Sequence, residues 1–370
     1  MKVAIITILD NTNFGTYLQA LATEVSVRKC GHQPVIIRYT RRCMTTRGVL
    51  LGVLKDRGVL KFIYHLLLNT GRQARRLRIM DILFLSKFSE LTDEYIGFDS
   101  LIKSPPQADV YMTGSDQVWN SYYNRGIDRS FYLDFAPDGK KRIAYAASIG
   151  MTDFPDDEKT SVRNLLQKYQ TITVREKKAQ SILQKLGISS DVVLDPTLLL
   201  SKYEWTSIAK VTNFDCNEQY LLTYSVEYGN EDSYIEYYAK MIAKQKGLKI
   251  YHVSYSSKSK MPKYADKSFA GATPDLFLNL MLNASFVVVA SFHGTAFAIN
   301  FNKQFLTVCP SNFSSRIESL LDMLELKERI VRDKSLSIEK LSSIDYSRVN
   351  VQLGEYRKGS LSKLKSIIEK

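Results

Sequence analysis

The chain has 370 residues, which is more than one hydrophobic core usually supports, so we expect two domains. Hydrophobic residues make up 45% of the sequence and charged residues 24%, as is usual for a globular protein that folds in water. The widely spaced cysteines form no C-x-x-C pair, which argues against a zinc site and a disulfide framework and favours a reducing cytoplasm. They are Cys30, Cys43, Cys216 and Cys309.

The N-terminal sequence predicts a buried strand rather than a signal peptide, because its apolar run is short and stops at Asp10. No apolar stretch approaches the roughly 20 residues that cross a bilayer. We therefore expect a protein that is neither secreted nor integral to a membrane.

The net charge of +13 is uneven, and much of it lies in a basic, apolar insert at about residues 41–90. Leucine-rich blocks alternate there with lysines and arginines. Such a segment suits a peripheral contact with the headgroups of an anionic membrane. It equally suits a helical insertion that packs its leucines on its own domain. Nucleic acid is not expected as a partner, because the sequence contains no nucleic-acid-binding module that we recognise.

Strand-like runs alternate with helical periods along almost the whole chain, which is typical of parallel α/β sheets. The predicted strands of the first half are Val3–Leu9, Val35–Tyr39, Val110–Thr113, Ile143–Ala147, Thr171–Val174 and Val192–Leu194. Tyr17–Lys29 and Lys177–Leu186 are predicted helices, and the segment after Pro196 has no strong period and is predicted to be a connector.

The pattern then restarts, and the sequence from Ser335 onward is largely helical. The predicted strands of the second half are Tyr220–Ser225, Lys249–Val253, Phe286–Val289 and Phe305–Val308. We therefore predict two Rossmann-like, doubly wound α/β domains, residues 1–205 and 206–370, which face one another across a cleft.

Glycine positions exclude two familiar kinds of phosphate chemistry. No two of the 18 glycines are two residues apart, so the dinucleotide fingerprint is absent, and the P-loop motif is absent as well. No dense cluster of ligand residues suggests a catalytic metal. We expect neither a metal nor a cofactor.

The segment Val287–Phe301 carries the strongest functional signal. A run of β-branched residues ends in Ser291, Phe292, His293 and Gly294, where a helical pattern begins at once. The first N–H groups of such a helix are unpaired, and its dipole favours an anion there. We therefore predict that His293 is functional rather than a core histidine, and that Gly294 lets a ligand approach the backbone.

Two further loops follow predicted strands, where ligands bind in open α/β sheets. The loop 10–20 offers Asn13, Gly15 and Gln19, although such residues are also ordinary helix caps. The loop 113–120 combines amides, a carboxylate and an aromatic ring, as suits a sugar, and the alternative is a turn with a buried tryptophan. Its polar and aromatic members are Ser115, Asp116, Gln117, Trp119 and Asn120.

Two arginines are also candidates. Arg175 ends a predicted buried strand, where a guanidinium binds a carboxylate or phosphate or forms a structural ion pair with Glu176. Arg316 follows Ser314 and Ser315 at the start of another predicted helix. Two interpretations are open for Arg316: it supports the histidine loop, or it is a surface residue.

Taken in order, these motifs resemble the polysaccharide pyruvyl transferase family. They run from N-x-G-x-x-x-Q through GSDQVWN, YAASIG, VRE, LDPTLLL and SFHG to the C-terminal SSRI. The resemblance implies a fold like that of GT-B glycosyltransferases, with an N-terminal acceptor side and a C-terminal donor side. It also implies that phosphoenolpyruvate, as donor substrate, gives its three-carbon unit to a sugar of a surface polysaccharide as a ketal.

The resemblance also implies residue roles. Arg175 and the segment Ser291–His293 would hold the donor, with Phe292, Gly294 and Arg316 beside them. His293 is predicted to be the general acid and Asp116 the base or acceptor-orienting residue. The predicted acceptor contacts are Asn13, Gly15, Gln19, Ser115, Gln117, Trp119 and Asn120.

Two positions depart from the family pattern, and two other functions stay open. Some relatives have an arginine where Ser291 stands, and many have an aspartate where Ala290 stands. A nucleotide-sugar glycosyltransferase and a non-catalytic saccharide-binding protein are the alternatives. The basic insert suggests that the acceptor is lipid-linked and that the protein works at the inner face of the cytoplasmic membrane.

Overall fold

Two parallel six-stranded sheets form the two halves of the computed structural model. The structure describes residues 1–9, 13–67, 82–210, 212, 214, 218–226, 231–256, 261–309 and 315–370. Both sheets are covered on both faces, which is why their strands are nearly continuous apolar runs rather than alternating ones. The predicted fold class of two Rossmann-like α/β domains is confirmed.

The N-terminal sheet has the strand order β2-β1-β5-β6-β7-β8, and a separate two-stranded sheet pairs β3 with β4. The strands are β1 Lys2–Ile6, β2 Gln33–Ile36, β3 Tyr39–Thr40, β4 Tyr95–Ile96, β5 Val110–Thr113, β6 Lys141–Ala147, β7 Thr171–Val174 and β8 Asp191–Val192. The helices are α1 Phe14–Lys29, α2 Thr46–Leu67, α3 Phe98–Lys103, α4 Ser121–Asn124, α5 Asp156–Leu166, α6 Lys177–Lys185 and α7 Pro196–Leu199.

The C-terminal sheet has the order β11-β10-β9-β12-β13-β14. Its strands are β9 Tyr220–Ser225, β10 Lys249–Ser254, β11 Lys267–Ala270, β12 Phe286–Ala290, β13 Gln304–Val308 and β14 Ile330–Val331. The helices of this half are α8 Lys202–Ala209, α9 Glu231–Lys246, α10 Pro274–Asn283, α11 Phe292–Asn300, α12 Ser315–Met323 and α13 Tyr346–Glu369. The strands β11 and β14, which the sequence did not predict, are short strands at the two edges of this sheet.

The segment after Pro196, predicted to be a connector, is instead helical. Asp195 caps α7 by accepting a hydrogen bond from the Thr197 N–H, and Pro196 occupies the first turn. A capping box formed by Ser201 and Glu204 then starts α8. Helices of four and eight residues are too short to show a clear period, which is why the pattern missed them.

The predicted boundary between residues 205 and 206 falls inside α8. This helix packs on α10, and the Asn279 amide donates to the Ala209 carbonyl at 3.3 Å. The Trp205 ring packs edge-on against Phe297 at 5.0 Å. The whole of α8 therefore belongs to the C-terminal domain.

The C-terminal domain was predicted to extend to residue 370. The last helix, α13, instead packs on the N-terminal domain. The Ser360 hydroxyl accepts from the Leu194 N–H, and the Lys141 ammonium donates to the Ile368 carbonyl. Lys363 also pairs with Asp191 at 2.5 Å. Residues 346–369 thus tie the end of the chain to the first sheet.

The basic insert forms α2, which bends at Gly58, where φ is 78°. Its exposed apolar side chains include Leu51, Leu54, Val59 and Ile63. The rest of the insert between 68 and 81 lies outside the described residues. Among the helices that the structure describes, none is both long enough and apolar enough to span a bilayer.

We predict that Leu364→Ala lowers the free energy of unfolding by about 2–5 kcal/mol, because Leu364 on α13 is fully buried. Urea denaturation measures the change. The matched control is Val351→Ala on the same helix, where the side chain is 66% exposed and a change within about 0.5 kcal/mol is expected. Equal stability of the two variants would contradict the packing of α13 on the core.

Candidate active site between the two domains

A cavity of about 330 Å³ lies where the carboxyl ends of the two sheets approach each other. Its volume is within the usual range for small-molecule sites. The N-terminal domain contributes Ile8, Asn13, Thr16, Arg41, Met44, Asp116, Gln117 and Tyr123. The C-terminal domain contributes Val226, Tyr255, Ser291, Phe292, His293 and Arg316.

His293 lies in the first turn of α11, directly after β12. Ser291 caps this helix by accepting a hydrogen bond from the Gly294 N–H at 3.2 Å. The N–H groups of Phe292 and His293 precede the first intrahelical bond, which joins Thr295 to Ser291. They leave a partial positive charge at the cavity wall, as the sequence predicted for an anion site.

The His293 ring is almost fully buried, and its Nε2 has no hydrogen-bond partner. Burial lowers the pKa of His293 to about 4, with a further decrease from Arg175 and Arg316, although Asp195 and Asp116 raise it. At this pKa the imidazole is neutral at pH 7. A bound anion would favour its protonated form.

Arg175 is enclosed by three carboxylates and one aromatic ring. Its Nη1 donates to Asp195 Oδ2 at 2.9 Å, its Nη2 lies 3.8 Å from Asp116 Oδ1, and its Nε lies 3.5 Å from Glu176 Oε2. The Phe292 ring covers one face of the guanidinium at 4.6 Å. Because the side chain has no exposed surface and does not line the cavity, direct contact of Arg175 with a donor is corrected to a supporting position.

Asp195 joins this cation to the histidine. Its Oδ2 accepts from the Ser115 hydroxyl and from Arg175, both at 2.9 Å, and lies 3.9 Å from His293 Nε2. Its Oδ1 accepts from the N–H and the hydroxyl of Thr197. Burial raises the pKa of Asp195, but the charges of His293 and Arg175 and the Thr197 donors outweigh burial and bring it to about 2.

Asp116 lines the cavity from the loop after β5, with a φ of 75° that is uncommon for a residue other than glycine. Its carboxylate accepts from the Thr16 hydroxyl at 2.9 Å and from the Gln117 N–H at 2.8 Å. Burial raises the pKa of Asp116, but the charges of Arg175 and His293 lower it by more, so this pKa lies below the ordinary value. Asp116 is therefore a fixed negative charge at neutral pH.

A bulge in β6 brings this loop to its position. The register between β6 and β7 shifts between Ala144 and Ala147, and Ala146 has a φ of 53°. The displaced strand end lets the Ser148 N–H donate to the Asp116 carbonyl at 3.0 Å and the Ser148 hydroxyl donate to Glu176 at 2.8 Å. Such bulges redirect strand ends next to functional sites.

Arg316 faces the same cavity from the first turn of α12. Its Nε is buried without a hydrogen-bond partner, and it forms no ion pair with any residue that the structure describes. Burial and the nearby charge of Arg175 lower its pKa. A buried guanidinium nitrogen without a partner is costly, so this position favours an anionic ligand. Ser314 lies outside the described residues.

The cavity thus combines unpaired cationic and N–H donors with ionised carboxylates, which is what an anionic substrate and a hydroxyl-bearing substrate together require. The family model described as polysaccharide pyruvyl transferase matches residues 13–311. The chain belongs to the polysaccharide pyruvyl transferase family. A search among curated proteins finds no sequence match.

Solved structures that resemble this member of the pyruvyl transferase family act on nucleotide sugars according to their names. A provisionally assigned UDP-N-acetylglucosamine 2-epimerase from Listeria monocytogenes has a TM-score of 0.50 at 9% identity, covering 98% of this chain and 90% of its own. ADP-heptose lipopolysaccharide heptosyltransferase II from E. coli has a TM-score of 0.42 at 12% identity, covering 97% of this chain and 99% of its own. The likeness concerns the fold alone, which is GT-B-like as predicted.

Four predicted acceptor contacts in this family member are corrected, because their side chains are enclosed and paired within the N-terminal domain. The Trp119 indole N–H donates to the Phe131 carbonyl and its ring stacks on Tyr132. Gln19 donates to the Thr7 hydroxyl, and Ser115 donates to Asp195. Asn120 caps α4 and donates to Gln117 Oε1.

The remaining acceptor candidates have different surroundings. Asn13 and Gln117 line the cavity, and the Asn13 side chain caps α1 by accepting from the Gly15 N–H. Gly15 instead makes room for the histidine, because a Cβ at this position would lie 2.0 Å from His293 Nδ1. Gly294 packs against Tyr224 and Val289 in the same way, with a Cβ at 3.2 Å from each.

Sequence reasoning missed several residues of this site, among them Asp195, Thr16 and Arg41. Asp195 carried a local signal, since an aspartate before a proline is typical of a helix start, but its partners Arg175 and Ser115 are distant in sequence. Thr16 lies in the loop 10–20, where Asn13, Gly15 and Gln19 were predicted instead. Arg41 was counted only as part of the basic insert. Among the described residues, no cluster of three or more candidate ligands could hold a metal ion, and the absence of a cofactor stays a prediction.

We predict that Gly15→Ala costs about 1–3 kcal/mol of stability or displaces the His293 ring, because the added methyl group overlaps the imidazole. Urea denaturation and a crystal structure of the variant measure the two effects. Gly354→Ala is the control, since a Cβ there meets nothing within 4 Å and helix propensity favours alanine by up to about 1 kcal/mol. An unchanged Gly15→Ala variant with an unmoved ring would show that the close contact is wrong.

Proposed function

We propose that this family member transfers the enolpyruvyl unit of phosphoenolpyruvate to two hydroxyl groups of a saccharide, forming a pyruvyl ketal and inorganic phosphate. The observation that carries the proposal is the set of unpaired donors around one cavity. These are Arg316 Nε and the first N–H groups of α11, and the His293 ring lines the same cavity. A small molecule with a phosphate and a carboxylate satisfies such a set.

Arg316 and the α11 N-terminus are the direct anion contacts in this proposal. Ser291 stands at a position where some relatives have an arginine, and here its hydroxyl is used to cap the helix. Arg316 supplies a cation to the same cavity from α12. Arg175 acts from behind the Phe292 ring, where it holds Asp195 and Asp116 in place.

The reaction needs one proton at the methylene carbon of the donor. A phosphate dianion next to His293 raises the pKa of the imidazole from about 4, so that binding of the donor charges the general acid. The imidazolium then protonates the methylene carbon, and the resulting cationic centre at C2 is attacked by a saccharide hydroxyl. Asp116 orients that hydroxyl, and Asn13 and Gln117 border the same space.

The atoms balance over two attacks. The first hydroxyl forms a C–O bond to C2 and gives up its proton, which restores the proton that His293 placed on the methyl carbon. The C2–O bond to phosphate breaks, and the second hydroxyl closes the ketal and leaves its proton on the departing phosphate. Neither an oxidant nor a metal is consumed.

We expect mass spectrometry of candidate saccharides incubated with protein and phosphoenolpyruvate to show the gain of one pyruvyl ketal, with phosphate released. His293→Ala should lower the rate by about 10²- to 10⁴-fold, the usual value of a positioned proton transfer. Arg316→Gln should raise the KM for phosphoenolpyruvate about tenfold, since a charged hydrogen bond contributes about 1.5 kcal/mol or more.

The control is Arg348→Gln, because that exposed arginine pairs with Glu325 away from the cavity and should leave KM unchanged. If His293→Ala keeps a third or more of the wild-type rate, its assigned role is wrong. Thermal stabilisation by nucleotide sugars and not by phosphoenolpyruvate would favour the glycosyltransferase alternative. Binding of saccharide without phosphate release would favour a non-catalytic protein.

The proposal extends to a lipid-linked acceptor presented at an anionic membrane surface. The exposed apolar side chains of α2 lie on the same helix as the exposed Arg47, and Arg42 precedes it. A helical surface that joins leucines to arginines fits a bilayer of anionic lipid. This helix begins at Thr46, two residues after Met44, and Met44 lines the cavity.

We expect the protein to sediment with vesicles that contain anionic lipid at low salt, less so at high salt, and not with neutral vesicles. The double variant Leu51→Asp and Val59→Asp should lose this binding. Val351→Asp on α13, which is equally exposed but distant in the chain, should retain it. Absence of binding to anionic vesicles at low salt removes the membrane part of the proposal and leaves the ketal reaction untouched.

A further inference from the structure

Asp195 does not line the cavity, but it contacts several residues that surround it. Its carboxylate is fully buried and accepts four hydrogen bonds from three residues, Ser115, Arg175 and Thr197. It lies 3.9 Å from His293 Nε2, and that nitrogen has no hydrogen-bond partner among the described residues.

We propose that Asp195 is a positioning residue that holds His293 as the Nε2–H tautomer and leaves Nδ1 as the nitrogen that carries the proton to and from the substrate. A neutral imidazole has one N–H, and the group facing each nitrogen decides which one carries it. Asp195 is ionised and offers only acceptors to Nε2. Nδ1 faces the first turn of α1, where Asn13 and Thr16 line the cavity.

The distance of 3.9 Å is longer than a hydrogen bond, so at this distance the carboxylate acts on the ring through charge. Catalytic hydrogen bonds are often long in unliganded structures and shorten in the substrate complex. Protonation of Nδ1 would create an imidazolium, which the neighbouring carboxylate stabilises directly. This is the division of labour in a carboxylate–histidine pair, where the carboxylate orients the ring without accepting its proton.

Charged groups from four elements act on the imidazole. Asp195 at the start of α7 and Asp116 after β5 favour the imidazolium, whereas Arg175 after β7 and Arg316 on α12 disfavour it. Asp195 is the largest favourable contribution. Its removal should therefore make His293 harder to protonate and shift the region of activity that needs imidazolium to lower pH, by about 1 unit or more.

The variant Asp195→Asn is suited to the test because Arg175 keeps two other carboxylates, Asp116 and Glu176, so no unpaired cation is left buried. Ser115→Ala is the matched control, since it removes one hydrogen bond to the same oxygen and keeps the charge. Nitrogen-15 NMR of the histidine side chains reports the tautomer of His293 without any substrate. The His293 signal is identified by its loss in His293→Gln among the four histidines.

We expect wild type and Ser115→Ala to show the Nε2–H form, and Asp195→Asn to show a mixture or the Nδ1–H form. The kcat of Asp195→Asn should fall by about 10²-fold or more, with the KM for phosphoenolpyruvate nearly unchanged and the pH profile moved to lower pH. If kcat falls while the tautomer of His293 and the pH profile stay as in the wild type, the proposal is wrong and the role of Asp195 is only structural. An Nδ1–H form in the wild-type protein overturns the proposal even if Asp195→Asn does not fold.

The role in proton transfer rests on the proposed function, but the tautomer does not. If the wild-type protein transfers no pyruvyl group and still holds His293 as Nε2–H under control of Asp195, the proposed reaction fails and the positioning role stands. If it forms the ketal with the opposite tautomer, the reaction stands and the inference about Asp195 fails.

Discussion

The structure of the site depends on one buried cation. Arg175 has no exposed surface, so its charge has to be matched inside the protein, and three carboxylates from three loops do so. Those loops follow β5, β7 and β8, and the aromatic ring over the guanidinium comes from the other domain. A single guanidinium therefore fixes the relative positions of Asp116, Asp195 and Phe292, and through them the wall of the cavity.

The contact between the domains extends this arrangement. Phe14 at the start of α1 stacks on Phe277 of α10 at 4.6 Å, so the apolar core continues from one domain to the other. Gly15 follows Phe14 and admits the His293 ring, while α13 returns across the first domain. The cavity is thus bordered by apolar packing that positions its polar groups before any substrate binds, which lowers the entropic cost of binding and reaction.

The proposed donor, which is not a nucleotide sugar, is inferred from these groups and not from the GT-B-like fold. Fold alone does not decide the reaction. The unpaired donor at Arg316 and the N-terminus of α11 match a small anion, and the carboxylates nearby match hydroxyl groups and a developing cation. In the proposed reaction, a neutral histidine that becomes charged when the phosphate of the donor binds would couple the proton donor to the presence of its substrate.

The two parallel sheets, most of their strands, and the strand-end loops that carry His293, Asp116 and Arg175 could be predicted from the amino-acid sequence, because apolar runs and strand ends are local properties of the chain. The side chains that face the cavity could not be predicted in this way, because their orientation depends on packing between distant segments. The Trp119 side chain is buried in the core, and the Arg175 guanidinium lies behind the Phe292 ring. Asp195 acquired its partners from residues 20, 80 and 98 positions away, and contacts over such separations leave no periodic trace in the sequence.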